Sequence, residues 1–445
     1  MVNPTPIVMA VIGIGQFLYP FAKRSWTLLG KSRAWTEHHS TIEELTSTCS
    51  TVHSDVLHGC ADMKLHGRVI YATCMAEGSR GKHRRWYSPQ SALRDEFIGK
   101  PKDELIAWDL DTDKVTIIEL KDFPNVSDRT FHGLDVVEVT PHHLSIYVIN
   151  HLPHASTISK FSHQPHTSTA SHIKTFSNSS LVPNPHSVFA LPDEDNNNAF
   201  YVTSDHTERT GWRRAVATFL QRPHGQVIYH SDTAGWKQVT TFISGAGAIT
   251  GLKTGISKRL FVSEILGGNV NVFDRKVTGG DLSVADASRA EGNLTWVQRI
   301  SLDFMPSGLA LQGTQGDDLY VAGLPKPLEF LAHQGEGLLL PGVSDHAADK
   351  HSAASLLARI DTRQLGSKFF GGGGADAKKA EGDEGSATEY TSDPVVEELI
   401  VDEFGKLVNA SYAVVVDRAR AGRKGDLFVS GLSGKGVLRC KHFAL

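Results

Sequence analysis

The longest apolar run in this chain, Ile7 to Phe21, has 15 residues, fewer than the ~20 that a membrane-spanning helix needs. Nor does one sign of charge prevail. Lys and Arg number 45 against 49 Asp and Glu, a net charge of −4, which argues against a nucleic acid or another polyanion as partner. Cysteine is scarce. The four present, Cys49, Cys60, Cys74 and Cys440, form no C-x-x-C pair, so a thioredoxin-type or paired-cysteine zinc motif is excluded. The chain also lacks a G-x-S-x-G nucleophile elbow and an H-E-x-x-H metal helix, and nothing in it points to a Ser-His-Asp triad. Gly245 to Leu252 is rich in small residues, but no Gly-Lys-Ser/Thr follows it, so it is not a phosphate loop. The acidic turn Asp109-Leu-Asp-Thr-Asp113 lacks the glycine and terminal glutamate of a calcium loop.

What is present is a repeated strand. Arg68-Val-Ile-Tyr-Ala-Thr73, Ser145-Ile-Tyr-Val-Ile149, Ala199-Phe-Tyr-Val-Thr203, Arg259-Leu-Phe-Val-Ser263, Asp318-Leu-Tyr-Val-Ala322 and Asp426-Leu-Phe-Val-Ser430 share one pattern: a starter, bulky β-formers, then a small residue. The six copies are separated by 77, 54, 60, 59 and 108 residues. A fixed apolar signature at such spacing marks a β-propeller, with one copy per four-stranded blade. The expected fold is therefore all-β, a six-bladed β-propeller over residues 45–445. The long last step holds four consecutive glycines and a charged Ala/Lys/Glu/Gly stretch, read as a disordered surface insertion at 365–389.

Residues 1–24 read as a targeting segment, because an apolar run of this length followed by Ala22-Lys23-Arg24 fits a signal core. No basic residue precedes the run and no A-x-A site follows it, so cleaved signal, retained signal and short membrane anchor all stay open. Sequons at Asn125, Asn178, Asn293 and Asn409 agree with a secretory route and with glycosylation. In an oxidising compartment disulfides become available. Cys49 precedes the first repeat and Cys440 follows the last, so a bridge between them would lock the ring, with Cys60 and Cys74 bonded to neither.

Most of the 22 histidines sit in polar loops such as Ser162-His-Gln-Pro-His166 and read as ordinary solvated side chains. His132 and His151 differ: the first opens a His-Gly turn, and the second ends a repeat strand, where a side chain can leave the sheet and line a cavity. His132-Gly-Leu, Ile146-Tyr-Val-Ile-Asn-His151, Leu181-Val-Pro-Asn184, Leu260-Phe-Val-Ser-Glu264 and Asp426-Leu-Phe-Val-Ser-Gly431 resemble the paraoxonase/arylesterase family, from about Cys49 to Cys440. The resemblance implies a six-bladed propeller with two calcium ions in a central tunnel, a retained N-terminal signal and a Cys49–Cys440 disulfide. It also implies that His132 and His151 form the base pair that activates water for lactone or ester hydrolysis.

At the family's metal positions the sequence departs. The acidic pair falls on Ala61-Asp62, and the remaining ligand pairs fall on His186-Ser187, Thr250-Gly251 and Ser307-Gly308. One carboxylate with scattered hydroxyls is a poor calcium site, so no metal and no cofactor are expected. The chain is also similar to the hetero-Diels–Alderases of fungal tropolone–sesquiterpenoid pathways. That similarity implies a metal-independent pericyclase joining a polyketide-derived quinone methide to a terpene-derived alkene. His132 and His151 would then be catalytic, with His186, Thr250 and Ser307 lining the substrate pocket as hydrogen-bond donors. A calcium-dependent lactonase or arylesterase is the alternative, and a non-catalytic binding propeller the third, in which these histidines are structural.

Overall fold

In the computed structural model the described residues are 48–76, 103–125, 129–152, 154–192, 198–209, 212–219, 222–253, 258–275, 291–312, 316–325, 355–365, 394–402, 410–417, 424–431 and 436–444. They form 24 strands in six four-stranded antiparallel units. Blade 1 holds β2 (His58–His66), β3 (Val69–Met75), β4 (Glu104–Asp109) and β5 (Lys114–Lys121). Blade 2 holds β6 (Phe131–Thr140), β7 (His143–His151), β8 (Ser156–His163) and β9 (Thr169–Phe176). In blade 3 are β10 (Pro185–Ala190), β11 (Phe200–Ser204), β12 (Gly225–Ser231) and β13 (Gly235–Ile243). Blade 4 runs β14 (Ala246–Gly251), β15 (Arg259–Glu264), β16 (Asn269–Arg275) and β17 (Leu294–Ser301). Blade 5 runs β18 (Met305–Gln312), β19 (Asp318–Leu324), β20 (Ser355–Asp361) and β21 (Val396–Asp402). Blade 6 takes β22 (Ala410–Asp417), β23 (Lys424–Gly431) and β24 (Val437–Ala444) from the end of the chain and its outer strand, β1 (Cys49–Val52), from the beginning.

The first strand of each blade, β2, β6, β10, β14, β18 or β22, packs against the next, and β22 meets β2, so the inner strands close a ring. All six repeat strands of the sequence are the second strand of a blade. Their aromatic residues, Tyr71, Tyr147, Tyr201, Phe261, Tyr320 and Phe428, are at most 2% exposed and pack between one blade and the next. A wedge between two sheets must be bulky, which is why the motif survives where the rest of each blade varies. Truncating such a ring to alanine costs about 3–5 kcal/mol.

Two covalent staples reinforce the ring. Cys49 pairs with Cys440 in the β1–β24 register and is disulfide-bonded to it, joining residues 391 apart in sequence. In the chain-entropy view a loop of this length contributes roughly 6 kcal/mol. The second disulfide, Cys60–Cys74, spans the β2–β3 hairpin and closes a loop of only 14 residues, for about 3 kcal/mol. Its Gly67 turn has φ +58°, a conformation glycine adopts without strain.

Two departures from a regular propeller stand out. The outer strands of blades 1 and 2, β5 and β9, pair in parallel through Glu119–Lys121 and Thr169–Ser171, fusing both blades into one eight-stranded sheet. One short helix, α1 (Trp212–Phe219), lies in the connection from β11 to β12. Leu365, first residue of the expected insertion, is buried in the core between blades 4 and 5. The N-terminal segment 1–24, the rest of that insertion and Asn409 lie outside the described residues.

Candidate functional site

In every blade the start of the inner strand faces the end of the second strand. Phe131 is paired with Asn150 in blade 2 and Pro185 with Ser204 in blade 3. His132 and His186, each second in its inner strand, therefore come to the same end of the ring as His151 and as Asp205-His206, just beyond β11. Three imidazoles meet there. The His132 ring centroid lies 5.5 Å from that of His151 and 4.5 Å from that of His186, edge to face. Nδ1 of His132 donates to the His186 carbonyl oxygen at 2.7 Å, which leaves Nε2 as its unprotonated nitrogen. This approach requires glycine next door, because a Cβ on Gly133 would lie 2.5 Å from the same carbonyl oxygen. His151 Nδ1 sits 2.9 Å from the buried Ser156 hydroxyl.

Burial decides the charge of this cluster. It lowers His132, partly offset by the His186 carbonyl, and lowers His151 well below the ordinary histidine value, with the His132 and Arg209 charges adding to the effect. His186 is pushed down to about 3, by burial first and by His132 second. All three are neutral at pH 7. Asp205 is the nearby anion. Burial would raise it, but Arg214, His206 and His186 together hold it below the usual carboxylate range. Its Oδ2 accepts from Arg214 at 2.8 Å. The 205–209 segment is tied to the loop after β7, where Arg209 donates to the Leu152 carbonyl oxygen.

Deeper in the ring the residues opposite the six repeat aromatics form one layer: Lys64, Asp135, Phe189, Thr250, Ala310 and Val414. Charge is retained here, in pairs. Lys253, just after β14, donates to Asp135 Oδ1 at 2.7 Å and to the Val136 carbonyl oxygen. The other Asp135 oxygen accepts from Ala190 N at 2.8 Å. One turn of the pleat above, Asp62 accepts from Leu134 N at 3.0 Å and lies 3.5 Å from the Lys64 ammonium. That ammonium in turn donates to the Tyr412 hydroxyl at 2.5 Å. Burial lifts Asp62 to about 6 against the pull of Lys64, whereas for Lys64 the attraction of Asp62 and Tyr412 overcomes burial and raises its value. This belt ties together blades 1, 2, 3, 4 and 6.

The arylesterase family model matches residues 97–336, more than half of the chain. The chain belongs to the arylesterase family. No curated protein is significantly similar to it. Among solved structures, the PQQ-bound aldose sugar dehydrogenase of Streptomyces coelicolor is 12% identical over 88% of this chain and 98% of its own, with a TM-score of 0.42. A functionally unknown protein of Desulfotomaculum acetoxidans is 10% identical over 86% and 90%, at 0.38. A protein of Bacteroides uniformis provisionally named a 6-phosphogluconolactonase is 13% identical over 59% of this chain, at 0.33, and this chain spans 64% of its length.

Of the residues expected to be catalytic or to line the substrate pocket, His132, His151 and His186 are gathered at the ring's end. Ser307 lies just inside the start of β18 and donates to the Ala322 carbonyl oxygen at 3.2 Å. Thr250 does not join the histidines. It pairs with Phe261, which puts it level with Asp135 in the belt, and Ala246 opens that strand instead. Among the described residues no three His, Cys, Asp or Glu side chains converge as metal ligands. Sequence reasoning missed the Cys60–Cys74 bridge, the Asp205–Arg214 pair and the partners of the belt, Lys64, Asp135, Lys253 and Tyr412. Of these only the bridge carried a signal, since positions 60 and 74 are symmetric about the Gly67 turn.

Proposed function

We propose that this arylesterase-family chain is a metal-independent catalyst acting on small molecules at the histidine cluster, and that esters or lactones are its substrates. The carrying observation is the His132–His151 pair, both neutral and 5.5 Å apart at one end of the ring, His132 buried and His151 partly exposed. Nε2 of His132 takes a proton from a water whose oxygen attacks the acyl carbon. The acyl–oxygen bond then breaks, and the leaving oxygen recovers that proton. His151, oriented by Ser156, stands where it can hold the same water or relay the proton.

The calcium that the family implies does not fit this donor set. Calcium takes six to eight oxygens and favours carboxylates. Here Asp62 and Asp135 each have a lysine ammonium as partner, and an ammonium offers no lone pair and repels a cation. The test is turnover of phenyl acetate and of simple lactones in excess chelator. Hydrolysis that resists the chelator and falls on the order of a hundredfold in His132→Ala or His151→Ala supports the reading. Hydrolysis that requires added calcium overturns its metal-independent part.

A second reading, cycloaddition, is favoured by one feature: three neutral imidazoles converge, and an N–H of His151 or His186 suits an electron-poor carbonyl as well as a water. Under it the substrates are a quinone methide and a terpene-derived alkene, and the readout is formation of the joined product with its stereochemistry.

A further inference from the structure

Just below the histidines are three side chains whose charges are matched and whose hydrogen bonds are not. Lys64 touches both of the others: its ammonium donates to the Tyr412 hydroxyl at 2.5 Å and stands 3.5 Å from Asp62 Oδ1. An ammonium only donates, so the Tyr412 oxygen is the acceptor in that bond and its own hydrogen points elsewhere. Among the described residues no acceptor meets that hydrogen. Asp62 is divided in the same way. Its Oδ2 accepts from Leu134 N at 3.0 Å, whereas the buried Oδ1 accepts no hydrogen bond among the described residues, the ammonium lying beyond the usual distance for one.

Neither group is on the outer surface: Tyr412 is 3% exposed and Asp62 4%. Buried polar atoms are almost always hydrogen-bonded, so an open donor and an open acceptor gathered by one ammonium mark a place for a polar guest. Contacts fix where it lies. Thr73, opposite Asp62 in the β2–β3 ladder, donates to the His132 carbonyl oxygen at 2.6 Å, and Leu134, held by Asp62, is two residues along β6 from His132. This puts the group one or two residues of strand below His132, roughly 3–7 Å along the inner strands. Tyr412, although rooted in blade 6, feels the charge of Asp135 in blade 2 as well as that of Asp62, so its hydroxyl is turned towards the ring axis. The Lys64 side chain keeps 13% of its surface exposed, so the space around the ammonium can be reached.

The chemistry of the guest follows from what is open. Asp62 and Lys64 already balance each other, so a further ion would add an unmatched charge beside a buried pair, which is costly. A neutral group adds none. A phenol whose oxygen accepts from an ammonium is polarised into a stronger donor, and burial raises Tyr412 so that it keeps its proton. We propose that Tyr412 and Asp62, bridged by Lys64, form a polar subsite for a neutral ligand that carries a hydroxyl next to a carbonyl. The ligand hydroxyl donates to Asp62 Oδ1, and the carbonyl oxygen accepts from Tyr412. The belt here binds and takes no part in bond-making. Because the subsite lies so close below His132, the molecule it holds is the one that reacts there, and the substrates are hydroxylated esters or lactones rather than plain ones. That last step rests on the catalytic reading above; binding at Tyr412 does not.

The experiment titrates the full chain by calorimetry at about pH 8, where Asp62 is ionised. The probes are phenacyl alcohol, a neutral hydroxy ketone, and acetophenone, which lacks the hydroxyl. Saturable binding of the hydroxy ketone is expected, about tenfold or more tighter than that of acetophenone. Tyr412→Phe removes only the hydroxyl and keeps the ring in the core between blades 1 and 6, and it should bring the two ligands to within about twofold of each other. No binding of the hydroxy ketone at tens of millimolar, equal affinity of the parent chain for both probes, or a preference that survives in Tyr412→Phe overturns the subsite. Should the variant not fold, the two probes on the parent chain still decide. A second arm compares hydrolysis of methyl mandelate and methyl phenylacetate, which differ by one hydroxyl. A higher kcat/KM for the mandelate that Tyr412→Phe loses supports the proposal, and a preference for the phenylacetate refutes the hydroxylated substrate. If neither ester is hydrolysed, the hydrolase reading fails while the calorimetry still decides the subsite.

Discussion

At the open end of the ring, burial strips charge: His132, His151 and His186 are held neutral among one another. A few residues deeper, charge is kept against burial, because each carboxylate has an ammonium and a backbone N–H. Both regions hang from the same inner strands, and Asp62 even accepts a hydrogen bond from Leu134 N, two residues along the strand from His132. The difference is in what can be lost. A neutral imidazole is weakly held and exchanges partners at little cost, as a group that must move protons needs. A buried ion pair is intolerant of losing one member, because the remaining charge has nowhere to go. Chemistry therefore fits the mouth, and the belt acts as the clasp of the blades.

The hardest way to break this contrast is to unpair the belt. Lys64→Met leaves Asp62 buried beside Asp135 without its cation and should cost about 3–5 kcal/mol of stability in denaturant unfolding. Adding Asp62→Asn should recover much of that, because it removes the stranded charge. A single variant that loses under about 1 kcal/mol would mean that the pair is solvated and does not clasp the blades. At the mouth the same style of truncation should act on rate and not on fold. His132→Ala and His151→Ala are expected to lower kcat/KM on the order of a hundredfold, with unfolding midpoints near that of the parent chain. Should either variant unfold as Lys64→Met does, the mouth is structural and the contrast disappears.

Acid sharpens the comparison, since the two regions respond in opposite directions. The buried histidines have folded values below 6.5, so the unfolded chain takes up their protons first. Their contribution is whole above pH 6.5 and is lost as pH falls toward about 4 for His206 and about 3 for His186. Asp62 is the reverse. With a folded value of about 6 against 3.8 unfolded, its contribution is present at low pH and is lost as pH rises through 6. Stability measured from pH 4 to 7 should thus rise more steeply in Asp62→Asn than in the parent, and less steeply in His186→Gln. Each change should amount to roughly 1–3 kcal/mol across the window. Hydrolysis should keep its rate below pH 6.5, because burial lowers both His132 and His151, and an acid limb centred at 6.5 or above would show that the histidines are solvated.

The sequence makes the ring legible because wedging six sheets together demands one kind of residue at one place, and Tyr71 through Phe428 supply it. The closing bridge was readable for a similar reason: Cys49 and Cys440 flank the repeats, and the first strand can only add to the last blade. The site was half legible. His132 and His151 lie at strand ends that the repeat itself marks. Thr250 lies deeper than expected: it is the fifth residue of β14 and pairs with Phe261, whereas His132, His186 and Ser307 stand second or third in their strands. The belt was not readable at all. Lys253 and Tyr412 reach Asp135 and Lys64 from blades 4 and 6, over 118 and 348 residues of sequence, and no local pattern encodes such a meeting.

The smallest expected effect is the response to calcium, and a null result here carries information. A divalent ion entering the belt would meet two ammoniums within reach of the only two carboxylates, Asp62 and Asp135. To bind, it must expel Lys64 and Lys253 or see them deprotonate, and Lys64 is held protonated more firmly than a free lysine. Calcium would also need several further oxygens, and of the rest of the layer only Thr250 carries one, since Phe189, Ala310 and Val414 have apolar side chains. Stripping the protein with excess chelator and then restoring millimolar calcium should leave both the unfolding midpoint and the ester hydrolysis rate unchanged within error. The Lys64→Met/Lys253→Met variant tests the other half of the argument. With both ammoniums gone, Asp62 and Asp135 face each other as an unpaired acidic pair, and calcium should now raise the midpoint by RT ln(1 + [L]/Kd), about 1 kcal/mol or more once it exceeds its Kd severalfold. A calcium response in the parent chain and none in the variant would invert the expected order and return the belt to a metal site.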